Sequence, residues 1–371
     1  YNIKTIMKKI KIFDLKEQYK KISNEVNKNI IDILSSGQYI LGNNVRNIED
    51  KFAKFLGVNY AISCNSGTDA LLLSLRALNI GHGDEVITTP FSYFATAEVI
   101  ALAGAKPIFA DINPHTFNIN HKLIENLITK KTKAIMPVHL FGQSCKLNEI
   151  RKICRKNKLA LIEDCAQSFG AKIEDRYTGT FGQFGCFSFF PTKNLGCAGD
   201  GGMIITNNLT KSTVLKKLRN HGGLIRNSHE HIGYNSRLDE IQASILITKL
   251  KMIREINNKR IQIAKKYKKF INNEKVRLPY QADNTFHVYN QFTLRVKNRK
   301  RFIKLLEEHN IPYGIYYPIP IYKQKAFKSY NYKYHLINTE KVTSECISIP
   351  IYPELDDDSI QYISETINKY I

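Results

Sequence analysis

Residues 60–78 read YAISCNSGTDALLLSLRAL, and their order of residue types decides the fold class. A five-residue apolar run with Tyr60 and Ile62 has the length and composition of a buried strand. Asn65, Ser66, Gly67 and Thr68 break it, and the leucines that follow recur at helical spacing. A strand that turns sharply into a helix is half of a βαβ unit, and the same rhythm repeats downstream. EVITT (85–89), PIFAD (107–111), KAIMPV (133–138) and LALIED (159–164) have strand length. ATAEVIALAG (95–104) and KLNEIRKICRKN (146–157) lie between them with helical spacing. Such alternation predicts an α/β fold with a mostly parallel central sheet covered by helices on both faces. Ligands of such sheets bind beyond the carboxyl ends of the strands.

The rhythm changes after Gly233. Residues 236–270 predict one long or broken helix, a natural hinge between two parts of the chain. VYNQFTLRV (288–296), RKRFIKLLEEHN (299–310), IPYGIYYP (311–318) and DDDSIQYISETINKY (356–370) then suggest a smaller C-terminal α+β domain. The expected division is an N-terminal arm over 1–22, a large domain over 23–250 and a small domain over 251–371. A length of 371 residues suits two domains.

Several function classes lose ground on composition. No apolar run reaches the roughly 18 residues of a membrane span. The basic start, YNIKTIMKKIKIFDL, lacks the apolar stretch and cleavage site of a secretory signal, and Met7 is a plausible natural start. The net charge of +22 admits nucleic acid, membrane surfaces or small anionic substrates. Its lysines are spread along the chain, and those of 257–270 alternate with Ile261, Ile263, Tyr267 and Phe270 as a solvated helix face. Isolated aromatics among them make no base-stacking platform, so neither nucleic acid nor a membrane is the expected partner. Seven scattered cysteines form no CxxC pair and no metal-ligand spacing, which points to reduced thiols in a cytoplasm-like compartment. His229 and His231 lack further ligands nearby in sequence, and no metal is expected.

Three stretches carry chemistry. Ser66-Gly67-Thr68 open a helix, where free N–H groups and the helix dipole suit a phosphate; capping alone explains the same residues. The chain has no GxxxxGK[ST] and no GxGxxG, so nucleotide-binding folds are disfavoured. In LIEDCAQSFGA (161–171), Asp164 ends an apolar strand where a carboxylate could hold a protonated ring nitrogen, with Gln167 three residues on. In SFFPTKNLGCAGDGG (188–202), Lys193 is enclosed by Phe189, Phe190 and glycines. Partial desolvation there disfavours the ammonium and frees an amine able to form an imine with an aldehyde. A phosphate cradle, a carboxylate and an imine-forming lysine are the parts pyridoxal 5'-phosphate (PLP) requires.

NSGTDAL, PFSYFATA, EDCAQSFGA, FSFFPTKNLGCAGDGG, GYNSRLDEIQA and YYPIP stand in the order in which they occur in the DegT-type nucleotide-sugar aminotransferases. From FDLKEQY to the C-terminus the chain resembles that family, within the fold-type I PLP-dependent transferases of the aspartate aminotransferase superfamily. The resemblance implies that Lys193 holds PLP and later shuttles the proton, and that Asp164 keeps the pyridine nitrogen protonated. It places Gln167 at the ring hydroxyl, and Ser188 with the backbone of Gly67 and Thr68 at the phosphate. Tyr93 falls where the family stacks an aromatic ring on the cofactor. Asn235 would reach the phosphate of a neighbouring subunit, which implies a homodimer with shared active sites. Arg237, Tyr316 and Tyr317 would line the sugar-nucleotide pocket, with Tyr316 standing where many relatives have His. The implied reaction moves an amino group from L-glutamate to a nucleotide-diphosphate-linked keto-deoxy-hexose. NLGCAGDGG and GYNSRLDEIQA look more like the 3-amino branch, so a 3-keto sugar is favoured. Dehydratases of the family carry His in place of Lys193, so that alternative is disfavoured; a non-catalytic regulator on the same fold is the other alternative.

Overall fold

The computed structural model describes residues 10–371. Its centre is a seven-stranded sheet. In spatial order the strands are Tyr60–Cys64, Gly202–Thr206, Phe184–Ser188, Ala160–Asp164, Thr132–Met136, Glu85–Thr88 and Lys106–Phe109. Six of them run in one direction as the βαβ rhythm requires, and only Gly202–Thr206 runs against them, antiparallel to both its neighbours. The fold is the expected α/β architecture of fold-type I transferases, with a smaller C-terminal α+β part.

Helices cover both faces of the sheet. Alternate strand residues go to opposite sides: Phe184, Cys186 and Ile204 pack with helix Gly67–Ala77, while Phe187, Met203 and Ile205 face helix Asn43–Leu56 and the start of the long helix. That long helix, Glu240–Phe270, is continuous for 31 residues. Ala243, Leu246, Leu250 and Ile253 in its first half belong to the large core, and Ile263, Ala264 and Tyr267 in its second half belong to the C-terminal core. One rigid element therefore ties the two cores together. The C-terminal core is built on a three-stranded antiparallel sheet, Val276–Arg277, Phe292–Val296 and Cys346–Ile349. Residues 311–318 form no strand there; Gly314 makes a single bridge to Ser348, and the tyrosines beyond it turn toward the large domain's cleft. The positions expected to divide the chain, 22/23 and 250/251, both fall inside helices, Leu15–Ser36 and Glu240–Phe270. Met7 and the rest of the arm's first nine residues lie outside the described residues. Among the described residues no helix is long and apolar enough to cross a membrane.

Glu240 shows how the long helix fixes its neighbour. Helix Asn43–Leu56 begins after Gly42, which has no side chain to cap it. The buried Glu240 carboxylate does so instead, accepting from the Asn44 and Val45 N–H groups at 2.8 and 2.9 Å and from Asn44 Nδ2 at 2.9 Å. A Cβ on Gly42 would lie 2.8 Å from Glu240 Cδ, so the cap needs glycine there. Glu240→Ala leaves these donors without an acceptor and is expected to cost about 2–3 kcal/mol, read as a lowered urea midpoint. An unchanged midpoint would show that the cap contributes nothing.

Candidate active site

The site is a cleft of about 460 Å³ at the carboxyl ends of the parallel strands, where the sequence rhythm placed it. A wider groove of about 780 Å³ lies near the strands' amino ends, lined by Lys133, Arg151 and Arg155 among others. That groove's carboxylate and amines, Asp84, Lys133 and Lys158, are not buried, whereas the cleft holds a buried carboxylate with a desolvated amine, so the chemistry is in the cleft.

Strand Ala160–Asp164 delivers Asp164 to the cleft floor, where it is buried. Its Oδ1 accepts from the Ala166 N–H at 3.1 Å and its Oδ2 from the Thr96 hydroxyl at 2.9 Å. Thr96, committed as a donor to the carboxylate, is in turn within 3.0 Å of the Ser92 hydroxyl. Burial nevertheless pushes the Asp164 carboxyl above its ordinary value, against these hydrogen bonds and the charge of Lys193. A buried carboxylate in this state is stabilised by a further cation within the cleft.

Lys193 sits on the loop joining Phe184–Ser188 to Gly202–Thr206, a loop closed at its base by the Ser188–Gly202 pair. The loop folds on itself: Lys193 N–H donates to Phe190 O at 2.9 Å, Cys197 N–H to Phe189 O at 2.8 Å, and the buried Lys249 Nζ to Gly196 O at 2.7 Å. A Cβ at position 196 would lie 2.6 Å from Pro191 O, which accounts for the glycine inside the turn. The amine lines the cleft, and burial pushes it down to about 8, opposed only by the charge of Asp164.

At the other wall, helix Gly67–Ala77 starts at Ser66, whose hydroxyl caps the Asp69 N–H at 3.0 Å. The first N–H groups, of Gly67 and Thr68, precede the helix's own hydrogen bonding. Ser188 lies directly opposite: a Cβ on Gly67 would come within 2.6 Å of Ser188 Cβ. Backbone N–H groups, a hydroxyl and a helix dipole thus converge where only glycine fits, an anion cradle. Gln167 is held from both ends, its Oε1 accepting from Phe141 N–H at 2.7 Å and its Nε2 donating to the Tyr317 hydroxyl at 2.8 Å. Tyr93 and Tyr316 also line the cleft, with the Tyr93 and Tyr317 ring centroids 6.4 Å apart.

Eight of the ten other candidate residues thus meet around Lys193. Asn235 and Arg237 do not. They are hydrogen-bonded to each other at 2.7 Å and lie outside this chain's cleft lining. Lining residues that sequence reasoning passed over include Thr96, present within PFSYFATA, and Phe13, Asp200, Asn290 and Gln291.

A second buried cluster, His139, Glu163 and Cys165, has its ligand atoms within 4.8 Å of one another. The hydrogen bonds of its histidine and glutamate leave those two no lone pair for a metal. Glu163 accepts from the N–H groups of Gly179, Phe181 and Gly182 and pairs with His139 Nε2 at 3.1 Å. His139 Nδ1 accepts from Cys145 N–H, so the ring proton belongs on Nε2 and is donated to Glu163. Burial pushes the Cys165 thiol well up, away from thiolate. The cluster supports Asp164 from behind, since His139 N–H donates to Asp164 O at 3.0 Å.

With this geometry in place, the comparisons with known proteins are informative. The model of the DegT/DnrJ/EryC1/StrS aminotransferase family matches residues 20–368. The chain belongs to this family. Among similar members, the "UDP-2-acetamido-2-deoxy-3-oxo-D-glucuronate aminotransferase" of Pseudomonas aeruginosa is 41% identical over 97% of this chain and 100% of its own. The "Pleiotropic regulatory protein" of Geobacillus stearothermophilus is 40% identical over 97% of this chain and 98% of its own. Among solved structures, the S. venezuelae protein DesV, in complex with a ketimine intermediate, superposes with a TM-score of 0.95 at 33% identity, covering 98% of each chain. This DegT-family chain is a PLP-dependent aminotransferase, and its cleft fits the cofactor group by group. The cradle of Gly67, Thr68 and Ser188 would take a phosphate, buried Asp164 a protonated ring nitrogen, and Lys193 would supply the amine for the aldehyde. When bound, PLP supplies an electron sink that acidifies the carbon next to the transferred nitrogen. Asp164 would sustain that sink by holding positive charge on the ring, and the Lys193 amine would accept and return the proton.

Proposed function

We propose that this aminotransferase takes its amino group from L-glutamate and gives it to a nucleotide-diphosphate-linked keto-deoxy-hexose, with the 3-keto position favoured, making an amino sugar for glycan or related biosynthesis. The observation that carries the reading is the convergence of Lys193, Asp164 and the Gly67–Ser188 cradle in one cleft of a family member. The 3-oxo substrate in the name of the 41% identical Pseudomonas protein supports the regiochemistry. A net charge of +22 favours capture of an anionic diphosphate. Incubating the PLP-loaded enzyme with glutamate and a panel of nucleotide-linked 3-keto and 4-keto sugars, with products identified by mass, tests it. Amination of a 4-keto sugar alone would overturn the positional choice. The name of the Geobacillus relative raises a regulatory role; absence of any amino transfer from glutamate to the bound cofactor would favour it.

The working unit in this reading is a homodimer with shared sites. Asn235 is exposed and outside its own cleft, and the segment before it carries Ile225 at 75% and Ile232 at 98% exposure, apolar surface suited to a second copy. Mixing Lys193→Ala with Asn235→Ala chains tests the sharing. If each site takes Lys193 from one copy and Asn235 from the other, random reassortment restores about a quarter of wild-type activity. No recovery, with mixed dimers demonstrated by light scattering and tag pull-down, would place both residues in one chain's site.

A further inference from the structure

Behind the cleft, three buried asparagines form a directional relay. Asn257, on the long helix, donates from Nδ2 to Phe169 O at 3.1 Å. Asn194, next to Lys193, donates from Nδ2 to Asn257 Oδ1 at 2.7 Å and to Val288 O at 3.1 Å. Asn290 donates from Nδ2 to Asn194 Oδ1 at 2.9 Å. Phe169 O and Val288 O are backbone carbonyls and can only accept, so the amides of Asn257 and Asn194 can face only one way. The direction propagates, and Asn290 must turn its Nδ2 inward. Its Oδ1 is left over, beside the second hydrogen of Nδ2.

Asn290 is 2% exposed and lines the cleft. Its Oδ1 has no partner among the described residues, yet it is not among the side-chain atoms sealed from solvent without one, so it is reached from the cleft. A buried amide with one hand fixed and one acceptor turned to a binding site is organised for a ligand that donates a hydrogen bond. A neutral oxygen acceptor is matched to a hydroxyl or an amide N–H and is repelled by a carboxylate. It therefore suits the sugar and not the carboxylates of the amino-acid donor.

We propose that Asn290 is a specificity-determining residue that accepts a hydrogen bond from a hydroxyl or amide N–H of the sugar acceptor, with Asn194 and Asn257 as its positioning residues. The proposal deepens the amino-sugar reading and rests on it. Because Asn194 adjoins Lys193, the same relay sets the sugar contact in register with the amine.

The test compares wild type with Asn290→Ala as PLP-loaded enzymes, with the sugar and glutamate varied separately. The expected result is a loss of about ten-fold in kcat/KM for the sugar, the size of one hydrogen bond. The kcat/KM for glutamate and the absorbance of the bound cofactor should stay as in wild type. Equal effects on both substrates, or none on the sugar, would overturn the assignment. Calorimetric titration with a UDP-linked amino sugar reads the contact without turnover: weaker binding by Asn290→Ala supports it and equal binding sinks it. Wild-type inactivity toward every keto sugar, by contrast, would count against the amino-sugar reading itself. Should Asn290→Ala fold poorly, Asn290→Ser carries the same expectation, because its shorter side chain keeps a hydroxyl donor for Asn194 while its oxygen no longer reaches as far into the cleft.

Discussion

Lys193→Ala is expected to leave a protein that folds but holds no covalently bound cofactor, with turnover reduced by about 10⁴-fold, the upper range for a positioned acid–base group. The fold should survive because the loop is held by backbone bonds and by Lys249 Nζ on Gly196 O, none of which uses the Lys193 side chain. Among the described residues no hydrogen bond holds the amine as an ammonium. Burial disfavours its charge, and only Asp164 favours it.

This balance sets a pH dependence. With the amine at about 8 in place of the ordinary 10.5, the cofactor-free protein carries a lone pair on Lys193 over a far wider range than a surface lysine. Below that value the ammonium has no lone pair to attack an aldehyde; above it the amine does. Capture of PLP, followed by absorbance and fixed with borohydride, is therefore expected to rise with pH through about 8 and then level off. The tag should fall on the peptide containing residues 188–202. A rise centred near 10.5, or a tag elsewhere, would mean that Lys193 is an ordinary lysine.

Much of this site was legible in the sequence because its parts lie on local patterns. Asp164 ends an apolar run, Gly67 follows a capping serine, and Lys193 stands between aromatics and glycines; each pattern survives in the folded chain. The strands Phe184–Ser188 and Gly202–Thr206 were less legible. Both are buried on both faces, so neither alternates apolar with polar residues, and each contains glycine. Their glycines answer to long-range contacts: a Cβ at 202 would lie 2.2 Å from Ser66 O. Asn290 and the relay behind it were invisible for the same reason. Asn194, Asn257 and Asn290 are widely separated in sequence, and only the packing of the long helix against the C-terminal part brings them into one line. Thr96 lay within a motif that had been singled out, but its bond to Asp164 needs the sheet to form first.

Asp164→Asn is expected to lower kcat by roughly 10²–10³, as removal of a preorganised electrostatic partner does, with stability moving the opposite way in the cofactor-free protein. The amide is nearly the same size; its oxygen can keep the Ala166 N–H while its Nδ2 donates to the Thr96 hydroxyl, which turns its proton to Ser92, so the packing of the cleft floor is kept. It cannot carry the negative charge that sustains a protonated ring nitrogen. Without the cofactor, that charge is a burden on the fold. Burial raises the Asp164 carboxyl above its ordinary value, so between the unfolded and folded values the native state binds more protons than the unfolded chain. Its contribution to stability is fully present below the unfolded value and is lost as pH rises through the folded one. Cofactor-free wild type should therefore lose stability over that interval, while Asp164→Asn shows no such loss from this position and is the more stable protein at neutral pH. Urea midpoints measured against pH for the two proteins separate the cases. Parallel profiles would show that Asp164 is already neutralised within the fold, and a near-normal kcat in the variant would remove it from the chemistry. The combination of lost turnover and gained stability is specific to a carboxylate kept buried for a cationic ligand, since a group retained for packing would lose both together.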